Sequence, residues 1–201
     1  MPDDSDLVAR CRSGDQQAFR TLVDRHGRGA FQLARRLVGG DEDAEDVVQE
    51  AFLKAYRSLD RFRGGSAFYT WFYRIVYNVS IDRIRKLRRV RTVDYDDTIG
   101  RGEDAGGGAD LLPPRLDSDP ARVQARRELK DQMEAALEQL SEDHRAVIVL
   151  REVRGLSYAE IAEVVGCPKG TVMSRLHHAR KKMQALLRPY VERGEGVEED
   201  Q

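Results

Sequence analysis

The sequence lacks several features that define common classes of protein. No apolar run approaches the roughly 18 residues needed to span a bilayer, and the N-terminal stretch MPDDSD is acidic where a secretory signal would be basic. The two cysteines, Cys11 and Cys167, are far apart and fit no metal-ligand spacing, so we expect two buried thiols and neither a disulfide nor a zinc site. Neither half of the chain shows the alternation of apolar and polar residues that is typical of strands. These absences predict an all-α, cytoplasmic protein.

Acidic residues are also absent between Val164 and Val191, a stretch that holds six basic residues. The whole chain is nevertheless almost neutral, with 34 basic and 35 acidic residues and a formal net charge of -1, so its charges are segregated. Between Asp94 and Pro120, eight acids and two bases are mixed with five glycines and three prolines. Such a segment buries too little apolar surface to fold. We therefore predict two small helical domains at 1–92 and 123–190, a flexible acidic linker at 93–122 and an acidic tail at 191–201.

The C-terminal third of the chain has the local signals of a helix-turn-helix motif. Ser157 and Glu160 have the spacing of a capping box, in which each side chain caps the backbone N–H of the other residue. Gly166 is suited to a left-handed helix end, and Pro168 to the start of the next helix. These signals predict one helix over about 158–165 and a second helix that begins near Pro168 or Lys169.

The second of these helices has an apolar stripe and a polar, basic face. The residues that recur at helical spacing, and are therefore predicted to be buried, are Val172, Leu176, Ala179, Met183 and Leu186. The opposite face holds Lys169, Gly170, Thr171, Ser174, Arg175, His177, His178, Lys181 and Lys182. This face suits phosphates and the base edges of a DNA major groove. The alternative is a solvated basic helix that only covers a core, but the capped helix and tight turn before it favour DNA binding.

An acidic helix is predicted over 41–60. Its apolar stripe consists of Ala44, Val47, Val48, Ala51, Phe52 and Ala55, which leaves Glu45, Asp46, Gln49 and Glu50 facing outward. Further acids crowd the helix start, where the helix dipole favours negative charge. A well-capped surface helix explains this segment by itself. A carboxylate metal site is a second interpretation, but no histidine is near and acids on one outward turn do not enclose an ion. A docking surface for a basic partner is the third.

Aromatic and basic residues are interleaved from Phe62 to Arg91. Helical spacing predicts that Phe72, Ile75, Val76 and Val79 are buried and that Tyr73, Arg74, Tyr77, Asn78 and Ile81 project outward. Rings interleaved with cations suit single-stranded nucleic acid, because bases stack on the rings while cations follow the backbone. The alternative is an aromatic core, which suits Trp71 and Phe72 better than two tyrosines on a polar face. The glycine-bearing loop at 63–67 is suited to form a pocket for an unstacked base.

Two long stretches of the chain resemble a known family. Region 2 of the extracytoplasmic-function sigma factors of RNA polymerase is similar to AEDVVQEAFLKAYRSLDRFRGGSAFYTWFYRIVYNVSIDRIRK, and their region 4 to LSEDHRAVIVLREVRGLSYAEIAEVVGCPKGTVMSRLHHAR. Within that family, the envelope-stress branch is most similar in VVQEAF, KAYR and SAFYTW. The resemblance covers nearly everything except the linker and the two tails. A duplex reader tethered to a single-strand binder is the arrangement needed to locate a promoter and hold it open.

The resemblance implies roles for individual residues. The acidic helix would dock on the clamp helices of the polymerase β′ subunit through Asp46, Gln49 and Glu50. The following loop and helix would open and read the −10 element with Phe62, Ser66, Tyr73, Arg74, Tyr77, Asn78 and Arg85. The helix from Lys169 to Lys182 would read the −35 element as duplex DNA. The β flap of the polymerase core and an anti-sigma factor are further implied partners, and neither a cofactor nor a catalytic residue is implied.

Three positions of the basic face depart from the pattern of the family. Met173 stands where relatives often have arginine or lysine, and His177 and His178 stand where relatives commonly have an aromatic or hydrophobic residue and then arginine. Methionine cannot donate a hydrogen bond to guanine, so the −35 sequence preference does not transfer.

The residues leave two other functions to weigh. One is a self-sufficient helix-turn-helix regulator with its own dimer interface, and the other is a nucleic-acid-processing enzyme that uses the acids at 41–50.

Overall fold

The computed structural model describes residues 2–93 and 120–195, and these ranges contain helices and no strand. The helices are α1 Asp4–Arg12, α2 Gln16–Val38, α3 Asp41–Ser58, α4 Phe68–Val93, α5 Pro120–Glu138, α6 Glu142–Ile148, α7 Tyr158–Val165 and α8 Lys169–Glu195. A 3-10 turn, Leu59–Arg61, follows α3, and a π-helical turn, Val149–Val153, continues α6. The predicted all-α class with two helical domains is confirmed. Residues 94–119 of the predicted linker and 196–201 of the predicted tail lie outside the described residues.

The N-terminal half packs α2, α3 and α4 against one another, with α1 lying on α2. Asp15 caps α2 by accepting hydrogen bonds from the backbone N–H groups of Gln17 and Ala18. Gly39 ends the same helix in the left-handed conformation, at a φ of 90°. Phe52 and Phe72 stack at the centre of this half, with ring centroids 4.4 Å apart. The acidic face of α3 is thereby fixed on the side away from the core.

The C-terminal half confirms the predicted helix-turn-helix. The side chain of Ser157 accepts from the Glu160 N–H, and the Glu160 carboxylate accepts from the Ser157 N–H, which completes the capping box of α7. Gly166 ends α7 at a φ of 70°, and α8 begins at Lys169. α8 then runs for 27 residues, so it is a long helix that begins as the second helix of the motif.

The two halves pack against each other through the predicted DNA-reading side of the N-terminal half. α4 lies along α7, and α2 contacts α5, α6 and the π-helical turn. The buried residues of both halves therefore form one continuous cluster.

The remaining features of the fold concern the cysteines and membranes. Cys11 and Cys167 are both free thiols, and each is half-buried, so the prediction of full burial is wrong for both. The two residues lie beside Ser13 and Gly166 at helix ends, where part of the side chain meets solvent. None of the described helices is long and apolar enough to cross a membrane.

Candidate nucleic-acid interface

The basic face of α8 lies on the outside of the C-terminal half, as predicted. Val172, Leu176, Ala179 and Met183 are buried, and Leu186 is half-buried at the edge of the core. On the opposite side, the exposed members of the predicted face are Lys169, Gly170, Ser174, His177, His178, Lys181 and Lys182. Thr171 and Arg175 are half-buried. The helical phase inferred from spacing is therefore confirmed.

Three of the cations on this helix have partners elsewhere in the C-terminal half. Arg175 forms an ion pair with Asp143 of α6 at 2.5 Å. Arg180 pairs with Glu152 of the π-helical turn, also at 2.5 Å, and Lys182 donates to the carbonyl of Gln139. These partners precede the acid-free stretch in sequence, which is why the local charge pattern did not reveal them. The charge available to phosphate is therefore smaller than the number of basic residues indicates.

Three histidines lie together at one end of this face. His177 and His178 have ring centroids 5.6 Å apart, and the ring of His144 lies 6.4 Å from that of His178. Partial burial, together with nearby His178 and Arg175, lowers the pKa of His144. The Nδ1 atom of His144 shares a 2.6 Å hydrogen bond with the Ser141 hydroxyl. The lowered pKa favours the neutral form of the His144 ring, in which one ring nitrogen donates and the other accepts.

The acidic helix α3 presents its carboxylates to solvent. Asp46, Gln49 and Glu50 are all exposed, as predicted from the apolar stripe. The Glu50 carboxylate is 2.7 Å from the Lys54 ammonium, and the hydrogen bond from that lysine lowers the pKa of Glu50. Arg83 of α4 lies 3.4 Å from Asp46. Together with α4, this face forms a groove that is acidic on one wall and basic on the other.

The residues expected to contact the −10 element divide into exposed and covered groups. Arg74, Asn78 and Arg85 are exposed on α4, and Ser66 is half-buried in the preceding loop. Phe62 is only 8% exposed, because its ring packs against those of Phe68 and Trp71, with centroids 5.9 and 5.2 Å away. It therefore belongs to the core in this structure.

The prediction that Tyr73, Tyr77 and Ile81 project into solvent is wrong. Tyr73 is 1% exposed, and Tyr77 and Ile81 are also buried. The hydroxyl groups of Tyr73 and Tyr77 point toward the C-terminal half, whose helix α7 lies against α4. Burial raises the pKa of Tyr73 and raises that of Tyr77 to about 12. Spacing within one helix gives the direction of a side chain, but not what covers it.

A contact between the halves accounts for this burial. Arg154, just after the π-helical turn, donates to the Tyr73 hydroxyl and places its guanidinium 5.2 Å from the centre of the tyrosine ring. The Tyr69 hydroxyl donates to Glu160, and the Tyr77 hydroxyl lies 3.4 Å from Asp143. We call these three pairs the interdomain contact. Sequence reasoning missed Arg154 because its partner lies 81 positions away and no local pattern marks it.

Gly29 of α2 makes the interdomain contact possible. A Cβ atom added at this glycine would overlap the guanidinium of Arg154 and the hydroxyl of Tyr73. Gly27, two residues earlier on the same helix, has only Phe52 near the added position, at an ordinary distance of 3.9 Å. Gly29 therefore has a specific steric role, whereas Gly27 does not.

An exposed acidic helix, an aromatic and basic helix, and a helix-turn-helix together define a DNA-binding protein with two helical modules. Residues 22–90 match Sigma-70 region 2, and residues 130–183 match Sigma-70 region 4. The ECF RNA polymerase sigma-E factor of Escherichia coli K12 is 41% identical over 191 residues, which cover 94% of this chain and 97% of the relative. The RNA polymerase sigma-H factor of Pseudomonas aeruginosa is 41% identical over 186 residues, 92% of this chain and 94% of that one.

Solved structures agree with these relatives. The sigma factor RpoE of Bartonella quintana, solved with the anti-sigma factor NepR, has a TM-score of 0.66 at 28% identity, covering 85% of this chain and 96% of that one. CnrH, solved with the cytosolic domain of CnrY, has a TM-score of 0.63 at 29% identity, covering 91% of this chain and 96% of that one. The chain belongs to the extracytoplasmic-function sigma factors of the sigma-70 family. It is a factor that binds RNA polymerase and directs promoter-specific initiation of transcription.

Proposed function

We propose a division of this function among three surfaces of the chain. The acidic face of α3 docks on the β′ clamp helices of the polymerase core through Asp46, Gln49 and Glu50. The loop before α4 and the outward side of α4 open and read the −10 element. The exposed face of α8 reads the −35 element as duplex DNA.

The exposure and charge of α3 support the docking role. Asp46 and Glu50 lie one turn apart on the same side of the helix, with Gln49 between them, and all three are exposed. Their ion pairs with Arg83 and Lys54 are at the surface, so they are worth less than about 1 kcal/mol each. A basic partner can therefore replace these neighbours at little cost.

The chemistry of α8 supports duplex reading. Ser174, His177 and His178 lie near the centre of the exposed face and carry short or planar polar groups that can reach base edges. Arg175, Arg180 and Lys182 lie toward its flanks, where phosphates would be met. When DNA binds, Arg175 and Arg180 must exchange their carboxylate partners for phosphates. This exchange is favourable only if the carboxylates of Asp143 and Glu152 move away or become solvated.

The −10 role is supported by the exposed side chains Arg74, Asn78 and Arg85 and by the aromatic character of α4. Tyr73 and Tyr77 can take part only after the C-terminal half moves away, because neither ring is accessible in the described arrangement. Phe62 likewise must leave its packing against Phe68 and Trp71, or act by shaping the loop.

The remaining partners are proposed from the family. The two solved relatives in complexes with NepR and with CnrY make an anti-sigma factor the expected regulator of this chain. The C-terminal half would also contact the β flap of the polymerase core. We assign the chain no catalytic step of its own, since bond formation belongs to the polymerase, and we place its activity in the cytoplasm, where that polymerase works.

Run-off transcription with purified core polymerase tests the proposal. Asp46→Lys combined with Glu50→Lys should lower the affinity for core about a hundredfold, because like charges would face a basic surface. The matched control is Asp24→Lys combined with Glu163→Lys, which reverses the same charge at exposed positions on α2 and α7. Equal loss in both variants, or wild-type pull-down of core by the α3 variant, would contradict docking through this face.

A further inference from the structure

We propose that the free protein holds itself in a closed state, in which the C-terminal half acts as an intramolecular partner of the −10 surface and Arg154 is the locking residue. This inference rests on the proposed −10 role of α4. The surface that covers the −10 surface is formed by α6, α7 and the π-helical turn of the same chain, because these elements lie on α4 and α2 in the structure.

The interdomain contact covers the residues that single-stranded DNA would need. A base stacks on the face of an aromatic ring, so a ring must be accessible on at least one side. Tyr73 is 1% exposed and has the Arg154 guanidinium over its ring. Tyr77 is 8% exposed, with its hydroxyl toward Asp143. The closed state and a −10 complex that uses these rings therefore exclude each other.

The same contact reaches the −35 surface. Asp143 lies between Tyr77 on α4 and Arg175 on α8, and it forms a 2.5 Å ion pair with that arginine. In the closed state, this carboxylate therefore contacts one residue from each proposed DNA-reading helix. Opening separates Tyr77 from this carboxylate, whereas Asp143 and Arg175 belong to the same half of the chain and stay paired.

Polar interactions at the edge of the interface add to the closure. Arg88 of α4 pairs with Glu142 of α6 at 2.5 Å, and Arg35 of α2 lies 3.3 Å from Glu134 of α5. Arg145 of α6 donates to the backbone carbonyls of Arg36 and Leu37, each at 3.3 Å. An interface with so many charged and polar groups resembles contacts that form and open, because its groups can be solvated once they separate.

Arg154, at the centre of the interdomain contact, has both favourable and unfavourable interactions. Its terminal nitrogens donate to Tyr73 and lie 3.4 Å from the Gln32 side-chain oxygen, but its buried Nε has no hydrogen-bond partner among the described residues. An unpaired buried donor is unfavourable. The closed state is therefore only moderately favoured, and a partner that binds the open state, such as core polymerase, can shift the population.

Gly29 provides a way to open the protein without altering a proposed DNA or polymerase contact. Gly29→Ala places a methyl group where Arg154 and the Tyr73 hydroxyl meet, while alanine is favourable inside α2. Gly27→Ala makes the same chemical change two residues away, where the added atom meets only Phe52 at 3.9 Å. The pair separates loss of closure from the general effect of replacing a helical glycine.

The experiment uses the full-length chain without polymerase. Small-angle X-ray scattering measures the radius of gyration, and fluorescence anisotropy measures binding to a mixed-sequence pool of single-stranded DNA. Gly29→Ala should increase both the radius of gyration and the affinity for DNA, the latter about tenfold, as expected when a hydrogen bond to a charged group is lost. Gly27→Ala should behave as the wild type. Arg154→Ala, which removes the same contact from the other side, should reproduce the effect of Gly29→Ala and serves if that variant does not fold.

Two outcomes overturn the inference. The first is an unchanged radius of gyration in both opening variants when circular dichroism shows them folded. The second is expansion without a gain in DNA binding. Run-off transcription with core polymerase distinguishes these failures from a failure of the proposed function, because all the glycine variants should still support promoter-dependent initiation if the proposed function is correct.

Discussion

The helices α4 and α8 are both proposed to read DNA, yet their reading faces meet the rest of the protein in opposite ways. On α4 the central residues are Tyr73 and Tyr77, and both are buried by the other half of the chain. On α8 the central residues are Ser174, His177 and His178, and all three are exposed. The comparison shows that the aromatic surface of α4, which suits single-stranded DNA, also packs well against protein. The polar surface of α8, which suits a major groove, does not.

The cause lies in the side chains. A tyrosine ring offers a large apolar area and one polar tip, so it can stack on a base or pack against a helix with equal ease. Arg154, Asp143 and Glu160 supply the polar groups that the three tyrosine tips of α4 require when they are buried. Small hydroxyl groups and imidazoles gain much less from burial. In the absence of DNA, an aromatic surface is therefore stabilised by packing against protein, whereas a polar surface can stay exposed to solvent.

The largest effect is expected from a change that removes the −10 function of α4 and leaves the −35 function of α8 intact. Tyr73→Ala combined with Tyr77→Ala should reduce open-complex formation about a hundredfold, since two stacked bases contribute about 1–3 kcal/mol each. Permanganate footprinting on a promoter selected with the reconstituted holoenzyme measures the unpaired bases. Duplex −35 binding and core binding should be retained.

The matched control for this change is the double phenylalanine variant. Tyr73→Phe with Tyr77→Phe keeps both rings and removes only the hydroxyls that contact Arg154 and Asp143. It should open the promoter as well as the wild type does. A wild-type footprint from a folded double alanine variant would instead assign both tyrosines to the interdomain contact alone.

A smaller effect is expected when a central residue of α8 is compared with a flanking one. His178→Ala should change which −35 sequences are preferred, by about tenfold at the affected base pair, because that side chain lies where base edges would be. Lys182→Ala should instead weaken binding to all sequences and lower the salt slope by about one phosphate contact. Selection from randomised −35 elements makes the comparison directly. If the His178 variant returns the wild-type motif, Arg175 becomes the next candidate for base readout.

The sequence predicts the local structure of helices α3, α7 and α8 well. The capping box at Ser157 and Glu160, the left-handed end at Gly166 and the start of α8 at Lys169 depend on neighbours a few residues apart, and all are present in the structure. The outward direction of Asp46 and Glu50 on α3 follows from helical spacing in the same way. Each of these features is set by interactions within about one or two helical turns.

Features that depend on distant partners could not be predicted in this way. The burial of Tyr73 requires Arg154, which belongs to the other half of the chain, and it also requires that Gly29 lack a side chain. The acids that neutralise Arg175 and Arg180 come from α6 and the π-helical turn. A single sequence gives no sign of these pairings, because neither partner carries a local pattern that requires the other.

A further prediction concerns the cations of α8 that are already paired. Glu152→Gln removes the partner of Arg180 and should raise affinity for duplex DNA by about threefold, since an exposed ion pair is worth less than about 1 kcal/mol. Glu163→Gln, which removes an exposed charge on the neighbouring helix α7, is the control and should have a smaller effect. Electrophoretic mobility shifts at fixed salt measure the difference. Equal gains from both variants would mean that only the overall charge matters and that Arg180 is not held back by its partner.

The smallest expected effect is a titration that reports the covered state of α4. Burial, and then the nearby charge of Asp143, raises the pKa of Tyr77 to about 12. A raised pKa means that the neutral hydroxyl is favoured by closure, so its contribution to the closed state is complete below about pH 10 and is lost as the pH rises from about 10 to 12. The difference in ultraviolet absorbance between the wild type and Tyr77→Phe isolates this one ring among the seven tyrosines.

The opening variant Gly29→Ala sharpens this measurement, because solvent should then reach the Tyr77 hydroxyl and its pKa should fall toward the ordinary value of about 10. Asp143→Asn should lower the pKa by less, since it removes the neighbouring charge but leaves the ring buried. If the Tyr77 pKa is unchanged in the opening variant, the ring is buried by something other than closure, and the contrast between the two reading helices has another cause.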